Sequence, residues 1–309
     1  MRQSEIRKDY LLDNYVIISP GRSRRPRQLR EATVKVSVES PFTPDKIASK
    51  LIIDSSGRGD GRVVAISNIY SAVSVKNKKA YGYQEVIIET PRPDIALGSL
   101  TTAHIERVLA LYAKRTAELM KKSRIEYVLC FKNQGAAAGA SIAHAHSQVF
   151  ASSLLPPDVA EEARRAQLYH EENGHSYYAD LITHELRSSR RIFEDKQIAV
   201  FAPYASAYHY EVWIMTKRQV DNISCLTLSE RRSVAQALKS LLSFLGQLGV
   251  DYNFFCHQVV SNRHQHFCLK LQPRDSIWAG VELGSGLVIN SMAPEQAAKD
   301  YRRAWKHTD

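Results

Sequence analysis

Gly135-Ala-Ala-Ala-Gly139-Ala-Ser141-Ile-Ala-His144-Ala-His146-Ser-Gln148-Val-Phe150 is the stretch on which the reading of this chain turns. Two histidines and a glutamine stand at alternate positions directly after a loop of small residues. A strand over Ala143–Ala151, which Val149 and Phe150 favour, puts His144, His146 and Gln148 on one face. The glycines let backbone N–H groups approach an anion such as a phosphate. One face then carries a nucleophilic imidazole, a second imidazole to hold it, and an amide to bind phosphoryl oxygens. That set suits phosphoryl or nucleotidyl transfer through a phosphohistidine. The alternative is a buried His-x-His strand with structural hydrogen bonds only.

Working outward, the chain repeats a pattern. Gly61–Val73 and Tyr83–Ile88 open the first half; Lys196–Ala207 and Tyr210–Ile214 open the second. Each opening is followed by an amphipathic helix, over Thr101–Lys122 and Thr227–Leu248, with apolar residues at three- and four-residue spacing. Start signals stand at Ser99 or Thr101 and at Ser229. A strand follows (Tyr127–Lys132, Tyr252–Val260), then a His-x-His strand (His144–Phe150, His264–Leu271). Only the first copy has the glycine-containing loop and Gln148, so chemistry is expected there. Pro156–His175 reads as a polar helix bridging the halves, and the boundary falls near Ser188–Arg191, giving units 1–189 and 190–309.

Composition narrows the class. With 309 residues and 44% hydrophobic content the chain can bury a large core. No apolar run approaches the roughly 20 residues that span a membrane, and MRQSEIRKDY lacks the apolar segment of a secretory signal. Cys130, Cys225, Cys256 and Cys268 are scattered, which suits a reducing cytoplasm without a disulfide framework. The net charge of +10 includes a cluster of Arg22, Arg24, Arg25, Arg27 and Arg30. No aromatic-basic interleaving and no zinc-finger spacing accompany it, so a phosphate-rich small molecule is a better partner than nucleic acid. No membrane partner is expected.

The longer string Tyr127-Val-Leu-Cys-Phe-Lys-Asn133-Gln-Gly135, Gly139-Ala-Ser141 and His144-Ala-His146-Ser-Gln148 resembles the galactose-1-phosphate uridylyltransferase family of the histidine-triad superfamily, including its ADP-glucose phosphorylase-type members. The resemblance extends to Arg7–Pro26, Asn68–Ala72, Gly82–Pro91 and Ala279–Ala298, almost the whole chain in order. It implies an α+β fold of tandem duplicated histidine-triad-like units, each a mainly antiparallel sheet with packed helices. It implies that His146 attacks the α-phosphorus of a nucleoside diphosphate sugar while Gln148 holds the phosphoryl oxygens and His144 orients His146. Arg22, Arg25 and Ser141 would hold phosphates, Asn133 would support the active loop, backbone groups near Gly139 would stabilise charge on the transferring phosphoryl group, Asn68 would line the nucleotide pocket, and Glu282 would bind sugar hydroxyls. The acceptor is a sugar 1-phosphate or, as in the related ADP-glucose or dinucleoside polyphosphate phosphorylases, inorganic phosphate, and the base, uracil or adenine, is not legible. Members often form homodimers, although nothing in the sequence marks an interface.

Two metal sites occur in the family. Ser40 and Thr43 stand where one has cysteines and Pro93 where it has histidine, none a credible zinc ligand, so that site is expected to be absent. For the other, Glu162, His257, His264 and His266 match the ligands and would suit one structural Zn²⁺ or Fe²⁺; no organic cofactor is expected. A rival reading, a catalytically silent nucleotide-sugar-binding protein, draws on the lost zinc ligands, on Gln84 and Gln219 at positions often histidine in relatives, and on Ser147 in place of glycine. Intact His146 and Gln148 argue against it.

Overall fold

A computed structural model describes residues 3–24 and 40–305. Strands β1 (Glu5–Lys8) and β2 (Tyr15–Ile18) come first, then β3 (Ile52–Ser56), β4 (Val63–Ser67), β5 (Gly82–Ile88), helix α1 (Thr102–Met120), β6 (Tyr127–Gln134) and β7 (His146–Ser152). Helices α2 (Pro157–Asn173) and α3 (Tyr177–Arg187) lead to β8 (Arg191–Glu194), β9 (Ile198–Phe201), β10 (Val212–Thr216), α4 (Leu228–Leu248), β11 (Tyr252–His257) and β12 (Cys268–Pro273). The chain closes with α5 (Gly280–Ser285), β13 (Val288–Asn290) and α6 (Pro294–Trp305). The fold is mixed α/β with mainly antiparallel pairing.

The two halves share one sheet. Ten strands run in the order β3-β4-β5-β7-β6-β11-β12-β10-β9-β8. The halves meet at the antiparallel β6–β11 pair, where Tyr252 faces Gln134 and Asn253 faces Asn133. A smaller sheet joins β1, β2 and β13, with β13 parallel to β2.

Period two decides what each face of the large sheet does. In β7, Val149 and Ala151 are fully buried in the main core, against Ile105, Val108, Leu109 and Tyr112 of α1. A side chain such as Val149 or Leu109 contributes about 1.5–3 kcal/mol by burial. Helices α1 and α4 pack side by side on this face. Gly98 allows the turn before α1 to approach α4, since a Cβ there would sit 2.8 Å from Leu242 Cβ. Arg115 of α1 grips Glu85 of β5 through two 2.7 Å bonds in a buried bidentate pair. The opposite face is covered in two pieces: Phe42, Ile47, Leu51 and Ile52 lie over β4 and β5, and α2 and α3 lie over β9, β10 and β12.

Local expectations shift by a few residues for identifiable reasons. Helix α1 is capped by Thr101, whose hydroxyl accepts from His104 N, and α4 by Thr227 rather than Ser229. Thr227 and Glu230 form a reciprocal capping box, which satisfies two end N–H groups together. The first His-x-His strand starts at His146. The second pair lies outside its strand altogether, because β12 begins only at Cys268. Asp221 Oδ2 accepts from Asn262 N, Asn262 Oδ1 accepts from His264 N, and Ser261 takes a positive φ of 63°. These side-chain turns hold Asn262–His266 in a loop. His264 and His266 therefore do not share a strand face.

His209 closes the base of an exposed segment: its Nδ1 bonds Asp275 Oδ2 at 2.7 Å and its Nε2 bonds Ser291 Oγ at 2.8 Å. Between these ends Ile277, Val281 and Leu283 are exposed. Among the described residues no helix is long and apolar enough to cross a membrane.

Candidate active site

Strand β7 presents His146 and Gln148 on the face opposite α1, between β5 and β6. His144 lies just before the strand, and its ring joins the same group. Phe42 packs against both imidazoles, with ring centroids 6.0 Å from His144 and 5.2 Å from His146.

Hydrogen bonds settle which nitrogen of each ring is free. Carbonyl oxygens only accept, so His144 Nε2–H donates to Thr90 O at 2.6 Å. His144 Nδ1 then accepts from the Ser40 hydroxyl at 2.7 Å. Both nitrogens of this buried ring are occupied, and the serine that replaces a cysteine is one of its partners. His146 Nδ1–H donates to His144 O at 2.8 Å, leaving Nε2 with the lone pair in the neutral tautomer. His144 thus positions His146 through its backbone carbonyl while its own ring is pinned from both sides.

Beneath the strand, Lys132 Nζ bonds Glu89 Oε2 at 2.7 Å and His146 O at 3.0 Å. Both members of that ion pair are almost completely buried, at 1% and 0% exposure. Burial lowers the pKa of His146 below the ordinary value; donation to His144 O opposes this, and the Lys132 charge adds to it. His144 is lowered chiefly by burial as well.

The small-residue loop is held from the second half. Asp251 Oδ2 accepts from Ala137 N at 2.8 Å, and Asn253 Nδ2 donates to Asn133 Oδ1 at 2.8 Å and Ala138 O at 2.9 Å. Gly135 has a φ of 83°, and a Cβ there would sit 1.8 Å from Asp251 Oδ1, so this position needs glycine on two counts. The Ala137 N–H, one candidate for holding phosphate, is therefore already taken. Gly139 also lies in the left-handed region, at 81°, and Ser141 is exposed.

The remaining predicted residues are dispersed. Asn68 Oδ1 accepts from Tyr70 N, shaping the segment that carries the exposed Ile69 and Tyr70. Glu282 Oε2 accepts from Ala279 N. Desolvation opposes the Glu282 charge, but backbone N–H groups and the nearby Arg22 outweigh it and lower its pKa. Arg22 follows β2 and Glu282 precedes β13, so both lie on the side of the small sheet. Arg25, with Arg27 and Arg30, lies outside the described residues. Asp251, Asn253, Lys132 and Glu89 were not singled out from the sequence. Each acts across the fold, and no local motif marks it.

The four proposed metal ligands do not converge. The His257 ring contacts Glu162 Oε2, and the buried Lys270 ammonium lies 3.8 Å from Glu162 Oε1. Burial opposes the Glu162 charge, but Lys270 and His257 overcome it and hold its pKa at about 2. His266 turns away: its Nε2–H donates to Thr216 O at 2.7 Å, leaving Nδ1 buried without a partner. The His264 ring packs near His170 instead. Among the described residues no three His, Cys, Asp or Glu side chains form a group that can hold a metal ion. Lys270 already supplies the cation beside Glu162, so this donor set does not fit the expected metal.

The lowered His146 pKa has a measurable consequence. Its free base survives to lower pH than an ordinary imidazole, so a reaction that uses this free base should show an acid limb of kcat/KM below about pH 6.5. An inflection above that value in a pH–rate profile would contradict use of that base. Stability follows the same sign. Between the folded and unfolded pKa values the unfolded chain binds more protons at His144 and His146, so their contribution is full above about pH 6.5 and declines below it.

Known proteins resemble this chain along most of its length. The family model for the N-terminal domain of galactose-1-phosphate uridyl transferase matches residues 60–156, which contain the histidine pair and its loop. ADP-glucose phosphorylase of Arabidopsis thaliana is 27% identical across 96% of this chain and 92% of its own. Galactose-1-phosphate uridylyltransferase of Thermotoga maritima is 25% identical across 96% and 98%. The crystal structure of the Arabidopsis ADP-glucose phosphorylase with bound ADP-glucose superposes with a TM-score of 0.85 at 28% identity, covering 97% of this chain and 98% of that one. The chain is thus similar from end to end, in sequence and fold, to galactose-1-phosphate uridylyltransferases and ADP-glucose phosphorylase, with the histidine pair inside the matched domain.

Proposed function

We propose that this protein is a nucleotidyltransferase that moves an NMP group between a nucleoside diphosphate sugar and a sugar 1-phosphate through a covalent His146 intermediate. The observation that carries it is the His146 ring, with Nδ1–H engaged by His144 O and Nε2 left as a lone pair. In the first step that lone pair forms a P–N bond to the α-phosphorus, and the bond from that phosphorus to the bridging oxygen breaks. Sugar 1-phosphate leaves with the electron pair. In the second step a phosphate oxygen of the acceptor attacks the same phosphorus and the P–N electrons return to Nε2. No net proton transfer is required. Gln148 donates to the phosphoryl oxygens as charge develops.

Inorganic phosphate as acceptor is a second reading, favoured by the likeness to ADP-glucose phosphorylase along the whole chain. Asn68, Asn133, Gly139 and Ser141 shape the nucleotide and phosphate side in either case, and Arg22, Arg25 and Glu282 serve phosphate and sugar. The order β4-β5-β7-β6 mirrors β9-β10-β12-β11, with α1 and α4 at equivalent places in the chain. This supports a duplicated histidine-triad unit at 1–189 and 190–309, with chemistry in the first. Free thiols at all four cysteines suit a cytoplasmic protein. Exposed Ile277, Val281 and Leu283 suit a homodimer contact.

Intact-protein mass after brief exposure to UDP-sugars and ADP-sugars tests the reading, run without acid because the phosphoramidate bond is acid-labile. An NMP adduct that disappears on adding sugar 1-phosphate or phosphate is the expected result, and it identifies base and acceptor together. Binding of these donors without any adduct would replace the enzyme reading by that of a silent binding protein.

A further inference from the structure

The Gln148 side chain is useful to a phosphoryl group only through its N–H donors, and an amide can turn either way. Two hydrogen bonds decide how it turns. Ala72 N–H, a backbone group that only donates, lies 3.0 Å from Gln84 Oε1. The carbonyl end of Gln84 is therefore committed to Ala72. Its Nε2 then points at Gln148 and donates to Gln148 Oε1 at 2.7 Å. With its oxygen engaged, Gln148 turns its own NH₂ away from Gln84. The orientation follows from a backbone N–H whose direction is not open to choice.

Gln84 also accepts from Asn68 N through its backbone carbonyl at 3.0 Å. One residue of β5 therefore holds both ends of the Asn68–Ala72 segment and the Gln148 amide. Gln84 and Gln148 are both half-buried, in a setting where a misdirected dipole is not rescued by bulk water. A glutamine where relatives often have histidine reads from sequence alone as drift. In the fold it accepts at one end and donates at the other, as a neutral imidazole also can.

We infer that Gln84 is a positioning residue for nucleotidyl transfer: it fixes the Gln148 amide with its N–H donors toward the transferring phosphoryl group and couples that amide to the Asn68–Ala72 segment. This rests on the nucleotidyl-transfer reading above. Gln84→Glu tests it, because a carboxylate still accepts from Ala72 N–H but has no donor for Gln148. The Gln148 amide then turns its NH₂ to the carboxylate and presents its oxygen to the phosphoryl group. The rate of adduct formation in a single turnover should fall by about 10²-fold, with KM for the donor nearly unchanged. Gln84→His, able to accept and donate across its ring, should stay within about threefold of wild type.

The double variant separates positioning from a general structural effect. In a Gln148→Ala background, Gln84→Glu should add less than about threefold, since the group it positions is gone. Full additivity, or a Gln84→Glu enzyme forming adduct at the wild-type rate, overturns the inference and leaves the parent reading intact. A wild-type protein that forms no adduct with any donor removes both. Should Gln84→Glu melt far below wild type, Gln84→Ala takes its place in the same cycle, with the same expected dependence on Gln148.

Discussion

His146→Asn is expected to lose at least about 10⁴-fold in turnover while keeping its fold, the size of effect seen when a covalent nucleophile is deleted. The argument is local. His146 is 8% exposed, and among the described residues its ring makes one hydrogen bond, from Nδ1 to His144 O. An asparagine amide can donate to that carbonyl, so stability should change by no more than about 1 kcal/mol. What disappears is the Nε2 lone pair. Urea melts and the adduct experiment, run side by side, separate the two effects. A well-folded His146→Asn protein with wild-type turnover would eliminate the covalent mechanism. Ser40→Ala should act more gently, since it removes only one of the two bonds that pin the His144 ring.

Lys132→Met is expected to carry the largest stability cost, about 3–5 kcal/mol. Glu89 has 0% exposure and Lys132 1%, and Glu89 Oε1 has no hydrogen-bond partner. Removing the ammonium leaves a buried carboxylate with no compensating charge. That is far costlier than the net worth of the pair. Replacing both residues, Lys132→Met with Glu89→Leu, should recover most of the loss, because the desolvation penalty of both ions is removed together. Lys132 also donates to His146 O, so the double variant should be stable but slower. Denaturant midpoints for the two single variants and the pair give the coupling directly. A Lys132→Met midpoint equal to wild type would mean that the pair is not what holds this part of the core.

These two residues differ in how visible they are before the fold is known. His146 and Gln148 stand two apart in one strand, next to a run of small residues, so their shared face follows from the geometry of an extended chain. Lys132 looks like an ordinary strand lysine in Tyr127–Gln134. Its partner Glu89 is 43 residues away, and the bond exists because β5, β7 and β6 are neighbours in the sheet. The same holds for Gln84, 64 residues from Gln148, and for Asp251, 114 residues from the loop it holds. Sequence separation hides such pairs, because any one of many acceptors could have been the partner.

The metal set shows the opposite lesson. Glu162, His257, His264 and His266 are correct in type and order for a site, and still only Glu162 and His257 come together. Ligand identity is written in sequence, whereas convergence depends on a loop held by Asp221 and Asn262 and on a lysine arriving from β12.

By itself, the sequence determined the helices α1 and α4, the strand that carries His146 and Gln148, and the likeness to galactose-1-phosphate uridylyltransferases, because each depends on spacing within a few turns of backbone. Only the tertiary structure decided which imidazole nitrogen is free, which way the Gln148 amide points, and that Asp251 and Asn253 of the second half hold the loop of the first. Those are hydrogen-bond and charge pairings between distant segments, and their partners are chosen by sheet order and packing rather than by neighbours along the chain.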